Sequence, residues 1–142
     1  MAVAIERQTH PDGQWIITDK RSGLATKEEC NHLALTAGRR VVRILRVRSV
    51  QGRNDLVEAT VLPFGTAPHL ARSGVAEERL SIVPASRWVA DQLDIPLSSP
   101  VLKLDRIVRT ASGMPLEWRL TFSPSSSIGG GQTLRRPRAQ NR

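Results

Sequence analysis

Residues 41–62, VVRILRVRSVQGRNDLVEATVL, read as two β-branched strands joined by a short turn over Gln51–Asn54. The arginines are the unusual feature. Arg46 and Arg48 lie two apart, so on a strand both project from one face, beside Val42, Ile44 and Val50. Cations on a largely apolar strand face must be paired, or must meet an anion supplied from outside. The sequence favours the anion.

Working outward, Trp15–Arg21 begins as a strand, and Ala25–Glu29 opens a helix. Thr26 is the N-cap and Glu29, three residues on, completes a capping box. The helix runs to about Leu35 with Cys30, Leu33 and Ala34 as its apolar stripe, and Gly38 stops it. Cys30, the only cysteine, reads as a small core residue; alone it makes neither an internal disulfide nor a cysteine-rich zinc site. Residues 63–74, with two prolines and two glycines, form a loop that carries His69. Glu77–Val83 is a strand, and Ser86 caps a second helix, RWVADQL, with Trp88, Val89 and Leu93 on one side. Val101–Thr110 and Leu116–Ser123 are strands around a turn at Ser112–Pro115.

The two halves repeat. Leu33 meets Leu93, Val41 meets Val101 and Arg46 meets Arg106 at an offset of 60; past the turn an offset of 59 pairs Glu58 with Glu117. Each half is strand, helix, strand, turn, strand. Two such units give an α+β fold, an antiparallel sheet of about six strands with the helices packed on it. The repeat also offers a structural use for the charges. If Val50 pairs with Asn54, Arg46 faces Glu58 directly; if it pairs with Asp55, the two point to opposite faces. A two-residue Ser112–Gly113 turn makes Arg106 and Glu117 diagonal neighbours. Arg48 has no counterpart, because Val108 takes its place, so Arg48 is the stronger candidate for a ligand contact.

Composition bounds the rest. A chain of 142 residues, 39% hydrophobic, suffices for one domain with a core, and no apolar run is long enough to span a membrane. Residues 1–14 read as a loose lead-in and 15–123 as the domain. Residues 124–142 read as a disordered Ser/Gly/Arg tail whose Arg135, Arg136, Arg138 and Arg142 supply half of the net charge of +8. His10, His32 and His69 are scattered, which argues against a metal site, and no phosphate loop or catalytic constellation is present. No cofactor is implied. Without a secretion signal, a cytoplasmic location is the default.

The runs LALTAGRRVVRILRVRSVQGRNDLVEATVLP and GVAEERLSIVPASRWVADQLDIPLSSPVLKLDRIVRTASGMPLEWRLTF resemble the two halves of a UTRA domain. That is the effector-binding domain of HutC-type GntR regulators, similar in fold to chorismate lyase. The resemblance covers about Trp15–Ser123. It implies a dimeric sensor of a small anionic metabolite, a sugar phosphate or carboxylate, acting on DNA through an attached winged helix-turn-helix that this sequence lacks. Carried over by motif, Arg46 and Arg48 hold the effector's acid group, and Glu58 and Glu117 accept from its hydroxyl or amino groups; Arg106, by its place in the repeat, and the loop residue His69 are further candidates outside the motif. Compared with the family pattern, the 62–77 segment is short and lacks tyrosine, and the end after Phe122 diverges. A chorismate-lyase-like enzyme and a nucleic-acid module using the arginine tail are the alternatives.

Overall fold

The computed structural model describes residues 7–10, 13–66 and 74–125. The strands are β1 (Arg7–His10), β2 (Gly13–Leu24), β3 (Arg40–Val50), β4 (Arg53–Pro63), β5 (Val75–Pro84), β6 (Pro100–Arg109) and β7 (Pro115–Pro124). The helices are α1 (Lys27–Leu33) and α2 (Arg87–Leu93). One antiparallel sheet runs β1-β2-β3-β4-β7-β6-β5. Six long strands match the expected count. The seventh, β1, comes from the stretch expected as a loose lead-in, which pairs Arg7–His10 with Gly13–Ile16. Gly13 makes the reversal at φ 135, where any Cβ would meet Val50.

The repeat holds at the level of single hydrogen bonds. Thr26 and Ser86 cap α1 and α2, and Ala34 and Asp94 end them in the left-handed region at φ 51 and 52. Leu35 N–H donates to Cys30 O and Ile95 N–H to Ala90 O; Ala25 donates to Arg39 O and Ala85 to Ser99 O. The α1 helix therefore stops at Leu33, before Gly38. The two units, β2-α1-β3-β4 and β5-α2-β6-β7, join through their last strands, Val57↔Phe122 to Val61↔Trp118.

Alternation along these strands divides the sheet into two faces. Val41, Val47, Val57, Val101, Trp118 and Phe122 face the helices and form the core with Leu33, Val89, Ala90 and Leu93. In α1 the inward place belongs to Glu29, not to Cys30, which is half-buried. Glu29 accepts from Thr26 N–H at 2.8 Å and takes a fork from Arg43 at 2.8 and 2.6 Å. The same guanidinium donates to Leu24 O, and a Cβ on Gly23 would meet it at 2.9 Å. In the second unit Val89 and Lys103 hold the equivalent positions, and the helix seat is apolar.

The Arg43 hydrogen bonds hold the Glu29 carboxyl below its ordinary value, against the opposing effect of burial, and Glu29 in turn raises Arg43. A carboxyl depressed in the folded state stabilises fully above its unfolded pKa, and the contribution vanishes as pH falls through the folded value. Glu29→Gln should cost about 1–3 kcal/mol at neutral pH. The gap between wild type and variant should close below about pH 4, as urea unfolding midpoints would record.

Candidate ligand-binding face

Among the described residues, neither helix covers the opposite face of the sheet. A band of charge crosses it. Alternation brings Trp15 and Ile17 from β2, Arg46 and Arg48 from β3, Glu58 and Thr60 from β4, Glu117, Arg119 and Thr121 from β7, Arg106 from β6 and Glu78 from β5 onto this side.

The first hairpin turns on Gln51 and Gly52, both at positive φ, so Val50 pairs with Arg53. At Val50 neither register considered from sequence holds, but from Arg48 back to Val41 the strands pair as in the first of them, with Arg46 directly opposite Glu58. A bulge between Arg48/Leu56 and Ser49/Asn54 then inserts Asp55, shifts the register by one residue and sets Arg46 against Glu58. Two expectations change with it. Arg46 does not await an anion: its Nε donates to Glu58 Oε1. Arg48 does have a carboxylate partner, since Nε donates to Asp55 Oδ1 at 3.0 Å and Nη2 to Oδ2. Both arginines also lie near Trp15, Arg46 with its guanidinium carbon 4.0 Å from the ring centre and Arg48 at 5.9 Å.

The second hairpin corrects the sequence alignment. Its loop spans 110–114 rather than two residues, yet Arg106 and Glu117 are diagonal neighbours on one face as expected, because Arg106 pairs with Arg119 and Val108 with Glu117; their ion pairs go to other residues. Arg119 is thus the register counterpart of Glu58. The offset after the turn is 61 instead of 59. Arg106 reaches Glu78 at 3.7 Å, and Glu117 reaches Arg119 at 2.7 Å. Arg119 Nε also stands 3.6 Å from Glu58 Oε1, the atom that Arg46 holds, while Thr121 Oγ1 donates to Glu58 Oε2 at 3.4 Å.

The four sequence-named residues Arg46, Arg48, Glu58 and Glu117 therefore share one face, with Arg106 at its far side. His69 lies outside the described residues, as does the tail from 126 onward. Sequence reasoning missed Asp55, Glu78, Arg119 and Trp15. The Glu117-x-Arg119 spacing carried the same two-residue signal as Arg46-x-Arg48; Asp55 could not be found without the bulge. Glu58 and Glu117 are each 3% exposed, roofed by arginines that are about a quarter exposed. Among the described residues no cluster of His, Cys, Asp and Glu could hold a metal ion, and no helix is long and apolar enough to cross a membrane.

Solved structures place this architecture among the ligand-binding domains of transcriptional regulators. One is the ligand-binding domain of a protein assigned to the GntR family in Bordetella bronchiseptica, 25% identical, with TM-score 0.70 over 85% of this chain and 89% of that one. A transcriptional regulator from Streptomyces coelicolor superposes with TM-score 0.71 at 18% identity, covering 87% and 91%. PhnF from Mycobacterium smegmatis does so with TM-score 0.69 at 16% identity, covering 79% of this chain and 58% of PhnF. No curated protein of related sequence was found. The UTRA domain model matches residues 9–75 and 71–128, and the chain belongs to that family, the chorismate-lyase-like ligand-binding domain of GntR-family regulators.

Glu58→Ala strands Arg46 and leaves Arg119 to Glu117 alone, and should destabilise by about 3 kcal/mol. Glu78→Ala, which loosens only a long ion pair at the edge, should change stability by about 0–1 kcal/mol. Urea unfolding of the two variants measures the contrast.

Proposed function

We propose that the charged face is the effector seat of a regulator of the HutC subfamily, and that the effector is a small anionic metabolite, a sugar phosphate or a carboxylate. The supporting observation is the band itself. Four arginines ion-paired with four carboxylates lie, among the described residues, on the sheet face that neither helix covers. A sheet that needed only stability would be better served by apolar side chains there.

In this reading Arg46 and Arg48 hold the acid group through their planar forks, which suit carboxylate and phosphate oxygens. Glu58 and Glu117 accept from hydroxyl or amino groups, and Arg106 flanks the seat. Binding exchanges internal ion-pair partners for external ones. The contacts between β3, β4 and β7 then differ between the empty and occupied states, which is the differential affinity that any sensor requires. The domain works as a cytoplasmic homodimer. DNA contact falls to a winged helix-turn-helix outside residues 1–142. The domain senses and does not catalyse, in keeping with the regulatory domains it superposes on.

A thermal-shift screen of sugar phosphates and carboxylates tests this. An effector at 100 times its Kd should add about 2.7 kcal/mol of stability. The Arg46→Ala/Arg48→Ala double variant should lose that gain; stabilisation that survives it removes both arginines from the site. Sedimentation should show a dimer, and a monomer at all concentrations overturns that part.

A further inference from the structure

The four arginines of the band each have a carboxylate partner before any ligand arrives. Arg46, Arg48, Arg106 and Arg119 stand within 3.7 Å of Glu58, Asp55, Glu78 and Glu117, four cations against four anions. An acid group that takes Arg46 takes it from Glu58. As a cation Glu58 then keeps Arg119, at 3.6 Å, beside the long hydrogen bond from Thr121, and Arg119 is also the partner of Glu117, at 2.7 Å. Two carboxylates, each 3% exposed, would share one guanidinium. A buried carboxylate short of a cation is the arrangement proteins avoid.

A second observation points to the same gap. Glu117 Oε1 is buried without a hydrogen bond among the described residues; its contact with Arg119 is an ion pair lacking hydrogen-bond geometry. The Nε atoms of Arg106 and Arg119 are likewise buried and unpartnered there. Glu117 Oε1 is thus held by charge without a hydrogen bond, beside guanidinium nitrogens that lack an acceptor among the described residues.

Resting on the sensor reading above, we propose that this face selects a zwitterion, a small molecule carrying an acid group and an ammonium group. The acid group takes Arg46 and Arg48. The ammonium enters between Glu58 and Glu117 and restores the cation that Arg46 withdraws, with Arg119 shared between the two glutamates as the residue that sets the preference. The ammonium offsets one charge of the acid group at the glutamates, whereas a plain anion leaves them one cation short.

Three probes that share a two-carbon chain separate the cases by isothermal calorimetry: O-phosphorylethanolamine, ethyl phosphate and ethanolamine. The zwitterion should bind at least about tenfold tighter than ethyl phosphate, the low end of what a charge-assisted hydrogen bond contributes. Glu117→Gln removes one of the two carboxylates while keeping its shape. It should bind ethyl phosphate more tightly than wild type and erase most of the discrimination; Glu58→Gln serves as a second variant, and unfolding midpoints confirm that both fold. Equal or tighter binding of ethyl phosphate by wild type overturns the proposal, as does discrimination unchanged in both variants, or no binding of any probe. A hit from the metabolite screen that carries no ammonium yet depends on Arg46 and Arg48 overturns it too, and leaves the sensor reading standing.

Discussion

The pairing of β4 with β7 is the constraint on which the rest depends. Five residue pairs, from Val57↔Phe122 to Val61↔Trp118, join the two units, and the helices then pack crosswise. The α2 helix of the second unit sits mainly over β4 of the first, and α1 over β7. Both core clusters are mixed for that reason. Leu33 and Val41 bury Trp118, while Val89, Leu93 and Val101 bury Val47 and Val57. Asn54 Nδ2 adds a hydrogen bond to Gln92 O at 2.8 Å, from the first hairpin to the second helix. Neither unit has a complete apolar seat for its own helix.

Local chemistry made much of this readable. The capping box at Thr26 and Glu29, the Ser86 cap, the β-branched strands and the 60-residue offset all depend on neighbours within a few positions, and each appears where the residues place it. What failed depended on register. A two-residue turn followed by a bulge moved Asp55 beside Arg48, and a five-residue loop put Arg119, not Glu117, in the position equivalent to Glu58. Sequence periodicity does not count bulges, and one inserted residue reverses which face a side chain takes. Glu29 shows a different failure. Its inward turn follows from Arg43 on a strand 14 residues away, which no helical pattern contains.

The candidate site inherits the same division. That arginines and glutamates gather on one strand face was legible from their spacing. That Arg46 could face Glu58 was one of two readings the spacing left open; that Asp55 and Arg119 complete the pairing was not legible, because it depends on a bulge and on neighbouring strands. Among the described residues Arg46, Arg48, Arg106 and Arg119 are therefore ion-paired rather than a row of waiting cations, and on the function proposed above a ligand enters by exchange.

The centre of the sheet carries one more consequence. Glu58 and Arg119 occupy equivalent positions in the two units and lie 3.6 Å apart across their junction. Were the units two identical chains related by a true dyad, both positions would hold the same residue, and two glutamates or two arginines would confront each other there. Joining the units in one polypeptide removes that restriction. Each half can carry its own residue, and here one position is acid while its twin is base. The asymmetry also gives the face a direction: a molecule with two unlike ends has one way to lie on it, where a symmetric surface would offer two.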